Sequence, residues 1–281
     1  MKIAVILPAA GAGRRFGGSG DAGGANKIEA QLAGRAVFLR AVELFVGRSQ
    51  VGPVILAVNP DTIDDFKLRW GDKLGFHGVQ LVPGGRQERW ETVRNALSAV
   101  DGSCTHVAVH DAARPLTSAK LIDRLFDAAQ KYPAVIPAVA VNATLKRVIE
   151  DDAGDGAQAD PLDAILGDAG KNSLQASRVV ETIDRCGLVE VQTPQVFEVA
   201  LLRRAYAQIT DGKLDGGGIT DDAAVVESLG EPVHVVDGDA LNIKITRPDD
   251  LKLAEAIYKM THDEDAALLA KKRLFADDDD A

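Results

Sequence analysis

Apolar and polar positions alternate with two different periods along this chain. Short runs of apolar residues, such as 3–7 and 54–58, have the length and continuity of strands that are buried on both faces. Between such runs, apolar residues recur every three or four positions, as at Val37, Ala41 and Leu44, and this spacing predicts helices. The expected strands are 3–7, 54–58, 79–82, 106–110 and 134–139, and the helices that separate them are 37–46, 62–70, 88–100 and 119–130.

This alternation predicts an α/β fold: a Rossmann-like, mostly parallel sheet with helices on both faces. Parallel strands bring their carboxyl ends to one edge of the sheet, and ligands of such folds bind outside that edge. We therefore expect the functional residues in the loops that follow Leu7, Val82 and His110.

The alternation is interrupted after the fifth strand. Two strand-like runs, 144–149 and 177–182, flank the segment 150–170, which is rich in Asp, Gly and Ala and is typical of a flexible excursion. Two strands around a long loop predict a projecting β-arm over 143–184.

Alternating structure is expected to resume over 196–208, 221–229 and 233–236. A last helix should begin near Pro248, because proline suits the first turn of a helix. The sequence thus predicts one domain over 1–262, which includes the arm, and an acidic C-terminal tail over 263–281.

Composition narrows the class of protein. The 281 residues are 46% hydrophobic and 26% charged, as in ordinary globular proteins, and the formal net charge is −10. This acidity argues against nucleic acid or an anionic membrane as the main partner, and no apolar run has the length of a membrane span. Cys104 and Cys186 are far apart in sequence, which is typical of free thiols in a reducing cytoplasm.

A glycine-rich segment, Pro8-Ala9-Ala10-Gly11-Ala12-Gly13-Arg14-Arg15, follows the first strand directly. Small residues let the backbone approach a ligand closely, and its N–H groups can point at phosphate oxygens. Arg15 and Lys27 could add positive charge, as a nucleoside triphosphate requires. The segment is not a P-loop, and Phe16 stands where a dinucleotide fingerprint needs glycine. From the segment alone, a phosphate site and a tight turn with solvated arginines are about equally supported.

The segment resembles the nucleotidyltransferase signature of the 2-C-methyl-D-erythritol 4-phosphate cytidylyltransferases when it is taken together with Lys27. The resemblance extends from about residue 2 to about residue 260, and it is carried by further motifs in the family's order. These are Gln87-Glu88-Arg89-Trp90-Glu91-Thr92-Val93, His110-Asp111-Ala112-Ala113-Arg114-Pro115, Thr144-Leu145-Lys146, Thr182-Ile183-Asp184-Arg185, Gln192-Thr193-Pro194-Gln195, Thr220-Asp221-Asp222-Ala223 and the ten residues 242–251.

The resemblance implies an enzyme that joins CMP from CTP to a small phosphopolyol with Mg²⁺, in the non-mevalonate route to isoprenoid precursors. It also implies a homodimer whose arms interlock. The catalytic residues would be Arg15 and Lys27. The nucleotide would be bound by Pro8, Ala9, Ala10, Gly11, Ala12, Gly13, Gly85, Thr92, Asp111 and Ala112, and the acceptor by Thr144, Arg185, Thr193, Thr220, Asp221 and Lys244.

Several of these residues have an alternative role. Asp111 could bind the ribose hydroxyls, help to hold the metal, or cap a turn and pair with Arg114. Thr92 could recognise cytosine or lie on a helix face without function. Asp221 could contact the polyol or form part of a helix N-terminus. We expect His110 to pack beneath the site rather than to act as a general base.

The chain departs from the family pattern in several segments. The glycine loop is lengthened by 17–24, Arg86 occupies the second glycine slot of the base-binding loop, and the arm carries extra residues between Glu150 and Gly170. The alternatives therefore remain a ribitol-5-phosphate cytidylyltransferase, a sugar-1-phosphate nucleotidyltransferase that uses another base, and a silent nucleotide-binding module.

Overall fold

A computed structural model of the chain describes residues 1–11, 27–150 and 176–276. The chain divides into two compact units. The large unit comprises Met1–Val139 and Val191–Ala281, and the small unit comprises Ala140–Glu190.

The elements follow the predicted order closely. The strands are β1 (Ile3–Ala9), β2 (Gln31–Leu32), β3 (Arg35–Ala36), β4 (Val51–Val58), β5 (Val79–Pro83), β6 (His106–Val109), β7 (Ala134–Ala140), β8 (Leu145–Glu150), β9 (Ser177–Ile183), β10 (Val189–Val191), β11 (Gln195–Glu198) and β12 (His234–Asp237). The helices are α1 (Val37–Glu43), α2 (Ile63–Phe76), α3 (Arg89–Leu97), α4 (Ala119–Ala129), α5 (Val199–Thr210), α6 (Asp222–Glu227) and α7 (Pro248–Ala276).

The central sheet of the large unit contains the strand order β7-β11-β6-β1-β4-β5, with β12 alongside β7. Strand β1 is parallel to β4 and β6, β4 is parallel to β5, and β12 is parallel to β7. Only β11 among these runs antiparallel to both of its neighbours, β6 and β7. The predicted mostly parallel α/β sheet is therefore confirmed.

The strand order of the sheet reverses beside β1. After β1 the chain adds β4 and β5 on one side, and β6 then pairs with the other side of β1. The loops that leave the carboxyl ends of β1 and β6 consequently diverge, and a crevice opens between them. This topology fixes where a ligand can bind before any side chain is considered.

Side chains of β1 point alternately into two cores, one on each face of the sheet. Ile3, Val5 and Leu7 belong to the core that includes helical residues of α1, α2 and α4, whereas Ala4 and Ile6 belong to the core that includes residues of α3, α5 and α6. All five are fully buried. Burying a large aliphatic side chain stabilises a fold by about 1.5–3 kcal/mol, so the two apolar layers hold the loop-bearing edge in place.

The small unit contains the two strands that were expected to form an arm. Strands β8 and β9 pair antiparallel, with Leu145 opposite Ile183 and Val148 opposite Val179. The excursion expected over 150–170 lies, beyond Glu150, outside the described residues.

Three features differ from the sequence-based expectations. Strands β2 and β3 form a tight hairpin whose central residues, Ala33 and Gly34, both have positive φ, as two-residue hairpin turns require. Strand β11 and helix α5 follow each other directly where the sequence predicted structure over 196–208 without separating a strand from a helix. Helix α7 begins at Pro248 as predicted but continues to Ala276, well into the segment expected to be a tail. No helix in the described part of the chain combines the length and apolarity needed to cross a membrane.

Candidate active site

A cavity of about 430 Å³ opens at the carboxyl ends of β1, β4, β5 and β6. It brings together predicted residues of three separate loops with two predicted lysines, Lys27 and Lys244. Its lining consists of Pro8, Ala9, Ala10, Gly11, Lys27, Ile28, Asn59, Gly85, Arg86, Gln87, Glu88, Arg89, Thr92, Asp111, Ala112, Ala113, Lys244 and Thr246.

The glycine-rich loop contributes its first four residues to one wall of this cavity. Pro8 and Ala9 end β1, Ala10 and Gly11 follow it, and all four residues line the cavity, as does Lys27. The predicted residues Ala12, Gly13 and Arg15 lie outside the described residues, so their roles stay predictions.

The loop between β5 and α3 forms another wall, and it is held in a tight conformation. A Cβ atom at Gly85 would lie 2.4 Å from Cβ of Glu91, so only glycine fits there. The Gly85 N–H donates to Thr92 Oγ1 at 3.0 Å. Glu91 Oε2 accepts from the N–H of Gln87 at 3.1 Å and of Glu88 at 3.3 Å. The loop therefore presents its backbone to the cavity in one fixed arrangement.

Asp111, two residues after the end of β6, is the buried carboxylate of the cavity, and three cations surround it. Its Oδ1 accepts two bonds of 3.3 Å from the Arg89 guanidinium, and its Oδ2 lies 2.7 Å from Lys244 Nζ and 3.9 Å from Arg114 Nε. Burial opposes ionisation of this side chain, but the charges of Arg89, Lys244 and Arg114 hold the pKa of Asp111 well below its ordinary value. Asp111 is therefore a permanent anion that orients cations.

His110 and Thr193 lie beneath Asp111. The Thr193 hydroxyl accepts the Asp111 N–H at 3.0 Å and lies 3.2 Å from His110 Nδ1, while His110 Nε2 lies 3.0 Å from the Arg114 carbonyl oxygen. Burial lowers the pKa of His110 to about 4, so the ring is neutral near pH 7 and packs against Phe45. Thr193 was predicted to contact the acceptor, but the structure buries it as a support for the Asp111 backbone.

The segment with Lys244 is anchored to the Asp111 loop through Asn242, which is fully buried. Its amide donates to the Thr193 carbonyl oxygen at 2.9 Å and its Oδ1 accepts from Thr117 at 2.8 Å. The Asn242 carbonyl oxygen accepts from Arg114 at 2.6 Å. Because these contacts fix the backbone two residues before Lys244, the ammonium group reaches the cavity at a defined position.

The donor set for a divalent cation is sparse. No group of three or more His, Cys, Asp or Glu side chains that could hold a metal occurs in the described part of the chain. Asp111 is the cavity's buried carboxylate, and it is already engaged by Lys244 and Arg89. With Asp111 and the exposed Glu88 as the carboxylates of the described lining, this arrangement fits Mg²⁺ as an ion carried by substrate phosphates with one or two protein carboxylates, which is a common way for proteins to bind Mg²⁺.

Thr220 and Asp221, the remaining acceptor-side residues of the large unit, do not line this cavity. Asp221 is the N-cap of α6: its Oδ1 accepts from the Ala224 N–H at 3.0 Å and its Oδ2 from Gln195 at 2.8 Å. The structure thus gives Asp221 the helix N-terminus role that the sequence offered as the alternative. Thr220 is exposed next to it, and Thr144 and Arg185 are exposed residues of the small unit.

Sequence reasoning missed two kinds of cavity residue. Arg89 was part of a family motif but received no predicted role. An arginine at the start of a helix that faces a predicted nucleotide site is a good ligand for an anion. Asn59 follows β4 directly, and the rule that ligands bind at carboxyl ends of strands already pointed to this loop. Arg86 also lines the cavity, and it binds Asp61 through two nitrogens at 3.0 and 2.8 Å.

A doubly flanked parallel sheet with a glycine-rich loop, a cationic cavity and a buried carboxylate at its direction change defines an α/β nucleotidyltransferase. The sequence model of the 2-C-methyl-D-erythritol 4-phosphate cytidylyltransferase family (IspD) matches residues 3–159 and 152–260. This chain therefore belongs to that family.

Individual relatives agree with the family match. A 2-C-methyl-D-erythritol 4-phosphate cytidylyltransferase from Frankia casuarinae is 38% identical over 258 residues, which are 91% of this chain and 81% of the relative. One from Geobacillus thermodenitrificans is 35% identical and covers 92% and 97% of the two chains. The crystal structure of the cytidylyltransferase from Thermus thermophilus is similar with a TM-score of 0.65 at 30% identity, covering 92% of this chain and 100% of that one.

Proposed function

We propose that this protein transfers CMP from CTP to 2-C-methyl-D-erythritol 4-phosphate, in the non-mevalonate route to isoprenoid precursors. The products are 4-diphosphocytidyl-2-C-methyl-D-erythritol and pyrophosphate. The observation that carries the proposal is the cavity, in which a glycine-rich loop, Lys27 and the Asp111–Lys244 ion pair converge. Membership of the family supplies the identity of the two substrates.

The nucleotide would lie between the two loops that present backbone to the cavity. Pro8 to Gly11 would contact the phosphates, and the loop at Gly85 would contact the base. Thr92 Oγ1 accepts the Gly85 N–H at 3.0 Å, which leaves its hydroxyl hydrogen to donate to a base carbonyl. Asp111 and the adjacent Ala112 would lie against the ribose.

The transfer itself needs positioned charge rather than a covalent enzyme intermediate. A phosphate oxygen of the acceptor, already ionised near neutral pH, attacks the α-phosphorus of CTP. The new P–O bond forms as the bond from the α-phosphorus to the bridging oxygen breaks, and pyrophosphate takes the electron pair. Lys27, with Arg15 from the family signature, stabilises the charge on the α-phosphate oxygens.

Lys244 would hold the phosphate of the acceptor, and Asp111 would keep its ammonium group in place at 2.7 Å. Arg185 is our second candidate for this phosphate, since guanidinium suits bidentate phosphate recognition. Thr144 and Thr220 are candidate hydroxyl contacts, and both are exposed side chains.

We further propose that CTP binds as its Mg²⁺ complex. When bound, the ion would neutralise charge on the phosphate oxygens. Asp111 would be its buried carboxylate neighbour, the exposed Glu88 is the other carboxylate among the lining residues that the structure describes, and Lys27 and Lys244 would complete the positive surroundings. Activity that persists unchanged in EDTA would contradict this part of the proposal.

We also propose that the enzyme is a homodimer in which the β8–β9 hairpin is the contact. Val148, Ile149, Val179 and Val180 are each 44–53% exposed on this hairpin, and exposed apolar clusters mark interaction surfaces. Light scattering of a Val148→Lys, Val179→Lys variant should report half the wild-type molar mass. Leu68→Lys is the matched control, because Leu68 is 87% exposed on α2. A variant with the wild-type mass would contradict this contact.

We place the enzyme in the cytoplasm, because Cys104 and Cys186 are free thiols and unpaired cysteines suit a reducing compartment. Fractionation of cells that express the tagged protein tests this placement, and recovery in an extracytoplasmic fraction would contradict it.

The decisive experiment measures pyrophosphate release from CTP and Mg²⁺ with two acceptors. Release with 2-C-methyl-D-erythritol 4-phosphate and not with D-ribitol 5-phosphate is the expected result. The reverse result would keep the mechanism and overturn the acceptor. Release with neither, together with CTP binding by calorimetry, would favour the silent nucleotide-binding module.

A further inference from the structure

A chain of polar side chains leads from the cavity into the core of the large unit. Arg89 Nη1 donates to Asp222 Oδ2 at 2.7 Å, and the Tyr206 hydroxyl donates to Asp222 Oδ1. On its other side the same guanidinium donates twice to Asp111 Oδ1, whose partner oxygen holds Lys244. The order is therefore Tyr206, Asp222, Arg89, Asp111 and Lys244.

The inner end of this chain does not line the cavity. Asp222 is 0% exposed and Tyr206 is 2% exposed, and they lie on α6 and α5. Of the five residues in this chain, Arg89, Asp111 and Lys244 line the cavity, and Asp222 and Tyr206 do not. Asp222 and Tyr206 can thus influence a bound substrate only through Arg89.

Burying a carboxylate in a protein core costs free energy, because the charge loses its hydration. An ion pair of this kind can often be replaced by apolar residues without loss of stability, and Tyr206 could pack as phenylalanine. What the charged version adds is orientation: a guanidinium is a planar fork, and a carboxylate fixes that plane through directed hydrogen bonds. With its plane fixed by Asp222, Arg89 fixes the rotation of the Asp111 carboxylate.

We infer that Asp222 and Tyr206 are positioning residues of the transfer reaction, acting through Arg89 on Asp111 and thereby on Lys244. The inference rests on the proposed function, since that proposal assigns Asp111 and Lys244 to the substrates. It extends the site by two buried residues, one on α5 and one on α6. Both would set the rate without touching either substrate.

The test is a double-mutant cycle between Asp222→Asn and Asp111→Asn, measured by single-turnover release of pyrophosphate with enzyme in excess. Asp222→Asn removes the charge that orients Arg89 and keeps the side-chain shape. We expect kcat/KM for the acceptor to fall by roughly tenfold to a hundredfold, as misplacement of a positioned group does. In the Asp111→Asn background the same change should cost less than about twofold, because coupled residues are not additive.

A merely structural role gives a different pattern. Asp222→Asn would then lower the melting temperature, while the folded enzyme kept the wild-type kcat/KM, or the loss would be equal in both backgrounds. Either result would overturn the inference. If the wild-type enzyme released no pyrophosphate with either acceptor, the proposed function would fail. The coupling between Asp222 and Asp111 would then be tested by the same double-mutant cycle, with the dissociation constant of CTP as the measured quantity.

Tyr206→Phe provides a second cycle that does not depend on the folding of Asp222→Asn. It removes one hydroxyl and retains the ring in the core. We expect a loss of about threefold to tenfold in kcat/KM, again absent in the Asp111→Asn background. Tyr132→Phe is the matched control, because Tyr132 is half-exposed and stacks on His234. An unchanged kcat/KM in Tyr206→Phe would remove Tyr206 from the chain of positioning residues.

Discussion

Two arginines among the described residues line the cavity, and each binds an aspartate, yet the two pairs differ greatly in their exposure to water. Arg89 and Asp111, the floor pair, have side chains that are 26% and 10% exposed. Arg86 and Asp61, the rim pair, are 67% and 59% exposed. The rim pair has the shorter contacts, 2.8 Å against 3.3 Å, so distance alone would rank it as the stronger pair.

Burial reverses that ranking. Charges in water are already solvated, and an exposed pair gains little from contact. Buried charges lack that solvation, and removal of one partner leaves the other uncompensated. On the floor, moreover, Arg89 serves two carboxylates at once, Asp111 and the fully buried Asp222. Burial works against its charge, but Asp222 and Asp111 together raise the pKa of Arg89 above its ordinary value.

The largest effect on stability is expected from Arg89→Ala. It leaves Asp222 without its cation and Asp111 with two of its three, and loss of one partner of a buried pair costs about 3–5 kcal/mol. Urea unfolding followed by circular dichroism measures this change in the free energy of unfolding. Arg89→Lys, which keeps the charge, is the control and should restore part of the loss. A cost below about 1 kcal/mol, typical of exposed pairs, would erase the distinction between floor and rim.

The largest effect on rate without a matching effect on stability is expected from Lys27→Ala. A preorganised cation at a developing charge contributes about 3 kcal/mol to the barrier, which is roughly a hundredfold in kcat. Turnover should fall by that factor while the affinity for CTP changes far less. Lys252→Ala is the control, since this lysine is exposed on α7 and pairs with Asp249. Near-normal turnover of Lys27→Ala would remove Lys27 from the mechanism.

The stability of the region around the floor pair should also depend on pH, because His110 is buried beneath Asp111. The rim pair has no such histidine beneath it. Burial lowers the pKa of His110 from 6.5 to about 4, so the unfolded chain binds a proton below pH 6.5 and the folded chain does not. Stability is therefore fully present above pH 6.5 and is lost as pH falls towards 4. The loss reaches about 3 kcal/mol, at 1.36 kcal/mol for each pKa unit.

The pH dependence of the free energy of unfolding, measured by urea titration between pH 7.5 and pH 4, tests this expectation. His110→Gln should flatten the curve between pH 6.5 and 4, because it removes the titrating ring. Below that window the protein loses further stability through Asp111. Its pKa in the folded protein is held far below the ordinary value, so the unfolded chain takes up a proton at this residue first. An equal slope in the wild-type protein and in His110→Gln would contradict the assignment to His110.

The rim was easier to foresee from sequence than the floor. The β-α-β periodicity fixed the carboxyl ends of β1, β5 and β6, and the loops that follow them do form the cavity. Arg86 was visible as a departure from a glycine slot. The fully buried partner of Arg89, Asp222, by contrast lies 133 residues away in sequence, whereas Arg86 and its partner Asp61 are 25 residues apart. Periodicity describes which face of an element is buried, and it carries no information about pairs formed between elements that are distant in sequence.

The same limit explains the misjudged elements. Strand β11 is four residues long and passes into α5 without a turn, so its apolar residues continue the pattern of the helix. The role of Thr193 depends on the position of β11. The segment that leads into this antiparallel strand places the Thr193 hydroxyl where it accepts a hydrogen bond from the Asp111 N–H. A polar residue that supports a buried backbone and one that contacts a substrate have the same appearance in a sequence.

The smallest effect is expected from the rim. Hydrogen bonding to Asp61 raises the pKa of Arg86, but both side chains remain in water, where salt screens their attraction. A double-mutant cycle of Arg86→Ala and Asp61→Asn should therefore show no coupling in the free energy of unfolding at physiological salt. Coupling should become measurable only at low ionic strength. If the pair instead closes over bound CTP, the cycle will show coupling in the KM for CTP and still none in stability. Coupling in stability that persisted in high salt would mean that the rim pair is shielded from water as the floor pair is, and burial would no longer separate the two.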